Sequence, residues 1–255
     1  MSKKNILITG GASGIGLGIA QHLGSLGHHI IIADINLTAA TKAVEQLHNQ
    51  SIGASAIELD VTSSKDVADL PKNLHPLMVD VLINNAGIQH VSKLEDFPAE
   101  KWQLLINIML VAPAMLSQAL LPNMRQQNYG RIINIGSVHS VVASPFKSAY
   151  VAAKHGLLGF AKTLALETGD CDVTVNTLCP AYVKTPLVEN QIAAQAIENG
   201  ISEQEVIDKI MLAPMPKKAF IGIDELAATA AFLLSNDARN ITAQALVIDG
   251  GWTAR

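Results

Sequence analysis

Seven short runs of β-branched and apolar residues punctuate the chain: NILIT near residue 5, HIIIAD near 29, SAIELDV near 55, DVLINN near 80, RIINIGS near 131, VTVNTLCP near 173 and ALVIDGG near 245. Between them apolar residues return at helical spacing, as in Ile19, Leu23 and Leu26, or Leu157, Leu158, Ala161 and Leu164. Strands alternating with helices predict an α/β fold, a parallel sheet covered on both faces. Seven strands fit one doubly wound Rossmann-type sheet, and no Pro/Gly/Ser-rich linker divides the chain, so residues 1–255 read as a single domain.

Strict alternation lapses once. Thr185 to Phe220 holds two helix-like pieces and no strand; Gly200 ends the first, and Ser202 with Glu205 forms a capping box that opens the second. An insertion late in such a fold, just after a strand, lies where ligands bind, so 185–220 is a candidate lid over a substrate.

Composition sharpens this reading. Of the 255 residues 49% are hydrophobic and only 16% charged, which hints at surface covered by other subunits. A net charge of −4 supplies no basic field for nucleic acid or anionic lipid, and neither is expected as a partner. No run of apolar letters approaches the ~20 that span a bilayer, and a strand begins almost at once after Met1, so a cytoplasmic location is expected. Cys171 and Cys179 lack metal or redox spacing and read as reduced packing residues; the histidines form no metal-ligand pattern.

The chemistry begins with TGGASGIG directly after the first strand. Gly10, Gly14 and Gly16 permit a tight turn and close approach of backbone N–H groups to a pyrophosphate at a helix amino terminus, with Ser13 and Ile15 in the same turn. Asp34 ends the second strand, eighteen residues after Gly16, where a carboxylate accepts ribose hydroxyls and repels a 2′-phosphate; NAD is the expected cofactor. Further on, Tyr150 and Lys154 lie four apart and project from one helix face. A phenol that titrates near ~10 needs adjacent positive charge to move protons near neutral pH, and Lys154 can supply it. Ser137, at the end of the preceding strand, can hydrogen-bond the reacting oxygen.

In order along the whole chain, TGGASGIG, Asp60-Val61, NNAG at 84–87, Ser137 and Tyr150-x-x-x-Lys154 resemble the short-chain dehydrogenase/reductase family. The resemblance implies hydride transfer with Tyr150 as acid/base, Lys154 on the nicotinamide ribose and Ser137 on the substrate oxygen. It implies cofactor contacts from Asp60, Val61, Asn85, Ala86, Gly87, Val183 and Thr185, and a homotetramer. Within that family the stretches GIQH, SVH, SPFKSAYVAAKHG, TPLVENQI and DGGWTAR are similar to the D-3-hydroxybutyrate dehydrogenases. That narrower likeness implies a small hydroxy acid whose carboxylate meets Gln89, His139, Lys147 and Gln191, with Trp252 at the substrate or at a subunit contact. Taken alone, Lys147 reads as a surface lysine before a helix and His139 as a loop histidine. As a carboxylate partner at ~4 Å, Lys147 would contribute about 4 kcal/mol before desolvation at an effective dielectric of ~20. A sugar alcohol or a 3-oxoacyl substrate is the alternative within the family.

Two positions depart from the family pattern. An asparagine that relatives place 28 residues before the serine is Met109 here, and Asn107 is about 200° away on a regular helix. Ala181 stands in CPAY where relatives have glycine, so its backbone is either ordinary or strained.

Overall fold

A computed structural model describes residues 2–254, the side chains of 187 and 198 excepted. β1 (Asn5–Thr9), β2 (His29–Asp34), β3 (Ala54–Glu58), β4 (Val81–Asn84), β5 (Gly130–Ile135), β6 (Val173–Pro180) and β7 (Ala245–Ile248) form one parallel sheet in the order 3-2-1-4-5-6-7. Every expected strand is present. The central strands are runs such as Ile6-Leu7-Ile8 and Ile30-Ile31-Ile32, at most 1% exposed, because alternate side chains enter opposite cores.

On one face α1 (Gly14–Ser25), α2 (Leu37–Asn49) and α9 (Ile223–Leu234) bury Ile19, Leu23, Leu47 and Leu233 against Ile6, Ile8 and Ile30. On the other, α3 (Ser64–Leu74), α5 (Ala112–Gln126) and α6 (Ser148–Glu167) bury Leu70, Leu116, Leu120 and Leu164 against Leu7, Leu82 and Ile132. Each fully buried Leu or Ile contributes about 1.5–3 kcal/mol, so the two layers together fix the sheet.

α4 (Ala99–Ile106) continues into α5 through one wide π turn, Asn107–Val111, closed by Ala112 N–H donating to the Asn107 carbonyl. Pro113 explains the widening: it has no N–H for the carbonyl four residues back, and its ring crowds that carbonyl. The merged rod, Ala99–Gln126, is long and apolar enough to cross a membrane by length and composition, which corrects the expectation that no segment reaches that length. Its inner side packs on α3 and α6, while Val111 and Met115 stay uncovered.

The segment after β6 folds as expected into α7 (Pro186–Asn199) and α8 (Glu203–Val206), the latter running into a second π turn, Ile207–Met211. Thr185 caps α7, Gly200 ends it in the left-handed region at φ 63°, and the Ser202–Glu205 capping box forms. Val188, Ile192, Val206 and Met211 give this segment a small core of its own, apart from the two main layers.

Candidate active site

The sheet order reverses between β1 and β4, and the turns leaving these two strands face each other at their carboxyl ends, where such folds bind ligands. Gly10 and Gly14 both adopt left-handed backbone, at φ 57° and 54°, as a tight turn into α1 requires. Ser13 is the N-cap of α1, yet its hydroxyl makes no capping bond, so hydroxyl and first-turn amides are open to an anion.

The turn is held from β4. The Asn85 side-chain amide donates to the Thr9 and Gly10 carbonyls, both at 2.9 Å, while the Thr9 hydroxyl accepts from the Asn85 and Ala86 amides at 3.0 and 3.1 Å. Asn85 therefore shapes the cradle through its side chain as well as lining it. Gly16 is the one expected cofactor residue that does not line the cleft. A Cβ there would stand 2.6 Å from Asn85 Nδ2 and 2.7 Å from the Gly10 carbonyl, so its role is close packing beneath the turn.

From this cradle a cleft of about 410 Å³ runs both ways. At one end lie Asp34, Asp60 and Val61. Asp34 accepts from the Ala12 and Asn36 amides at 3.3 and 3.1 Å, which fixes its carboxylate at the rim. No Lys or Arg lines this end among the described residues. Val183 and Thr185 line the floor nearer β6.

At the other end the cleft gathers Gln89, Ser137, His139, Lys147, Tyr150 and Gln191, from four separate stretches of chain. Ser137 caps a single 3₁₀ turn, Val138–Ser140: its hydroxyl accepts the His139 N–H at 3.1 Å, and its own N–H donates to Ser140 Oγ at 3.2 Å. This capping box holds Ser137 in the cleft wall, which Tyr150 also lines. Lys154 is buried; its ammonium donates to the Ile135 carbonyl at 2.6 Å and sits 5.6 Å from the Tyr150 ring centroid.

The electrostatics qualify one expectation. Burial is the main cause that pushes the Tyr150 phenol up, and the neighbouring Ser137 hydroxyl opposes it without reversing it. Burial likewise pushes Lys154 down to about 8. In the chain alone desolvation sets the direction at Tyr150, so a lowered phenol needs positive charge brought into the cleft.

Lys147 is only 8% exposed, and burial lowers its pKa. No carboxylate lies within ion-pairing distance among the described residues; its ammonium stands 5.6 Å from the Tyr182 ring centroid. Phe146, just before it, holds a left-handed φ of 65°, unusual for a bulky residue, and its carbonyl accepts the Ser92 N–H at 2.9 Å. That bond ties the Lys147 loop to the loop carrying Gln89. The Gln89 side-chain oxygen is buried without a partner among the described residues, so the amide has unmet hydrogen-bonding capacity.

His139 is pushed down to about 4, by burial first and then by the Lys147 charge, and is neutral at pH 7. Trp252 lies behind the cleft rather than in its lining: it packs edge-on to His139 with centroids 5.8 Å apart and stacks on Tyr182 at 6.0 Å. Asp249 holds it there by accepting from the Gly251 and Thr253 amides at 2.8 and 2.7 Å. Met109 is buried and lines the cleft, whereas Asn107 turns away and accepts from Gln103 at 2.9 Å, so even the π turn does not bring it in. Ala181 lies outside the left-handed region, so glycine is not required at that position. Tyr182 and Ser144 also touch the site; both stand in stretches already singled out, CPAY and SPFKSAY, without a role assigned to them.

The family model for short chain dehydrogenase matches residues 4–196. A D-beta-hydroxybutyrate dehydrogenase of Rhizobium meliloti is 43% identical over 99% of both chains, and one of Cupriavidus necator is 41% identical over the full length of both. Among solved structures, a single-substitution variant of the actinorhodin polyketide ketoreductase with NADPH superposes with a TM-score of 0.94 at 29% identity, covering 99% of this chain and 98% of its own. With the glycine cradle, the serine–tyrosine–lysine set and the family match converging on one cleft, the chain belongs to the short-chain dehydrogenases and is an oxidoreductase of small molecules.

Proposed function

We propose that this dehydrogenase oxidises D-3-hydroxybutyrate to acetoacetate, reversibly, with NAD. The observation that carries the reading is Lys147: a buried ammonium facing the cleft without a carboxylate of the chain to pair with among the described residues. Burying an unpaired charge is costly, and an anionic substrate offsets that cost where an uncharged ketone cannot. Gln89 and Gln191 face the same space and add neutral donors, and the relatives' names point to the same hydroxy acid.

The glycine turn, the amides opening α1 and Asp34 suit a dinucleotide, and the acidic rim without a basic side chain favours NAD over a 2′-phosphorylated cofactor. A bound nicotinamide supplies the hydride acceptor. The chain's own part is proton handling and orientation. Tyr150 takes the hydroxyl proton as the carbonyl forms, Ser137 donates to the same oxygen, and Lys154 supports the phenolate from beneath. Lys147 and the glutamines hold the carboxylate, which fixes the reacting carbon relative to Tyr150.

Initial rates with D- and L-3-hydroxybutyrate, their uncharged methyl esters and a sugar alcohol, each with NAD and NADP, test the proposal. Turnover confined to the D-acid with NAD is the expected result. Preference for the ester, the sugar alcohol or NADP would reject the corresponding part.

A further inference from the structure

His139 joins two hydroxyls. Its Nε2 lies 2.7 Å from Ser144 Oγ, and its Nδ1 lies 3.4 Å from Ser137 Oγ, the oxygen that also accepts the His139 backbone N–H at 3.1 Å. His139 is 4% exposed and packed edge-on against the Tyr150 ring, at 6.0 Å, and the Trp252 ring, at 5.8 Å, which holds the imidazole between its two hydroxyl partners. The neutral ring carries one proton, and its position decides what Ser137 can do.

If the proton sits on Nε2, it is given to Ser144, and Nδ1 is a bare acceptor beside Ser137. The hydrogen of the Ser137 hydroxyl is then drawn toward the imidazole, away from the substrate. If the proton sits on Nδ1, Ser137 Oγ becomes an acceptor from His139 twice over, and its own hydrogen is left to point into the cleft. Only the second arrangement serves the reaction, and it requires that Nε2 accept a hydrogen bond. Ser144 is the hydroxyl in place to give it.

We propose that Ser144 is a positioning residue: its hydroxyl donates to His139 Nε2, fixes the imidazole as the Nδ1–H tautomer, and so directs the Ser137 proton at the substrate oxygen. The proposal rests on the reading of Ser137 given above.

The test reads the tautomer directly, by two-bond proton–nitrogen correlation on enzyme with ¹⁵N-labelled histidine and no substrate, the His139 signals identified by their loss in His139→Asn. Wild type is expected to show the Nδ1–H pattern. Ser144→Ala is expected to shift His139 toward Nε2–H and to lower kcat by about 10- to 100-fold, the scale of one misdirected donor, with KM for the hydroxy acid little changed. Ser144→Thr keeps the hydroxyl and is expected to restore both. An Nε2–H signal in wild type, or a Ser144→Ala enzyme with unaltered kcat, would overturn the assignment. Failure of the hydroxybutyrate reading is separable: the tautomer is read without substrate, and kcat can be measured on whichever substrate the enzyme turns over.

Discussion

His139 shows how one buried side chain ties stability to pH. Its pKa is held down to about 4, so between pH 6.5 and 4 the unfolded chain takes up a proton that the folded chain refuses. Unfolding therefore becomes easier as pH falls through that window, by about 3 kcal/mol in all, and the effect is absent above pH 6.5. Denaturant titrations of wild type and His139→Asn at pH 7 and pH 4 should show the wild-type advantage shrinking by about that amount. A constant difference between the two proteins would mean that His139 titrates normally. At this scale the sequence was most legible where a motif fixes both residue type and neighbour: Ser137, Tyr150, Lys154 and the glycine turn all meet at the cleft. Ser144 and Tyr182 stood in quoted stretches but carried no role, because their contacts are made across the fold and a serine or tyrosine in a loop carries no periodic signal. Trp252 was half legible; the DGGW turn places it beside the site, but the depth of His139 and Tyr182 in front of it is a packing fact.

Elements follow the hydrophobic pattern closely where both faces are buried, because continuous apolar runs leave a strand few alternative registers. All seven strands, the capping box at Ser202 and the stop at Gly200 lie where the letters put them. The π turn at 107–111 was not readable: it depends on Pro113 continuing a helix that a proline would ordinarily end, which the packing against α6 permits. The turn between β1 and α1 offers a sharper test of element packing. Gly16→Ala would place a methyl against Asn85 and the Gly10 carbonyl, pushing the phosphate turn outward. NADH titration followed by fluorescence is expected to show binding weakened at least about 10-fold, close to 1.4 kcal/mol, with the circular dichroism spectrum retained. Unchanged affinity would remove Gly16 from the support of the cradle.

For the whole molecule, the parallel sheet is a frame that brings one end of β1, β4, β5 and β6 to a common edge, and the segment that follows β6 adds Thr185, Val188 and Gln191 to the cleft lining there. The general architecture and the helical insertion after β6 were evident from the order of strands and the lapse in alternation. The length of the rod Ala99–Gln126 was not, since a helical merger cannot be told from two shorter helices by hydrophobic spacing alone. The central claim is that Lys147 recognises an acid, and kcat/KM for D-3-hydroxybutyrate and for its methyl ester, in wild type and in Lys147→Met, addresses it in one experiment. Removing one partner of a buried charge pair costs about 2–5 kcal/mol, so the variant should lose at least about 30-fold on the acid and little on the ester. Equal losses on both substrates, or none on the acid, would contradict the account.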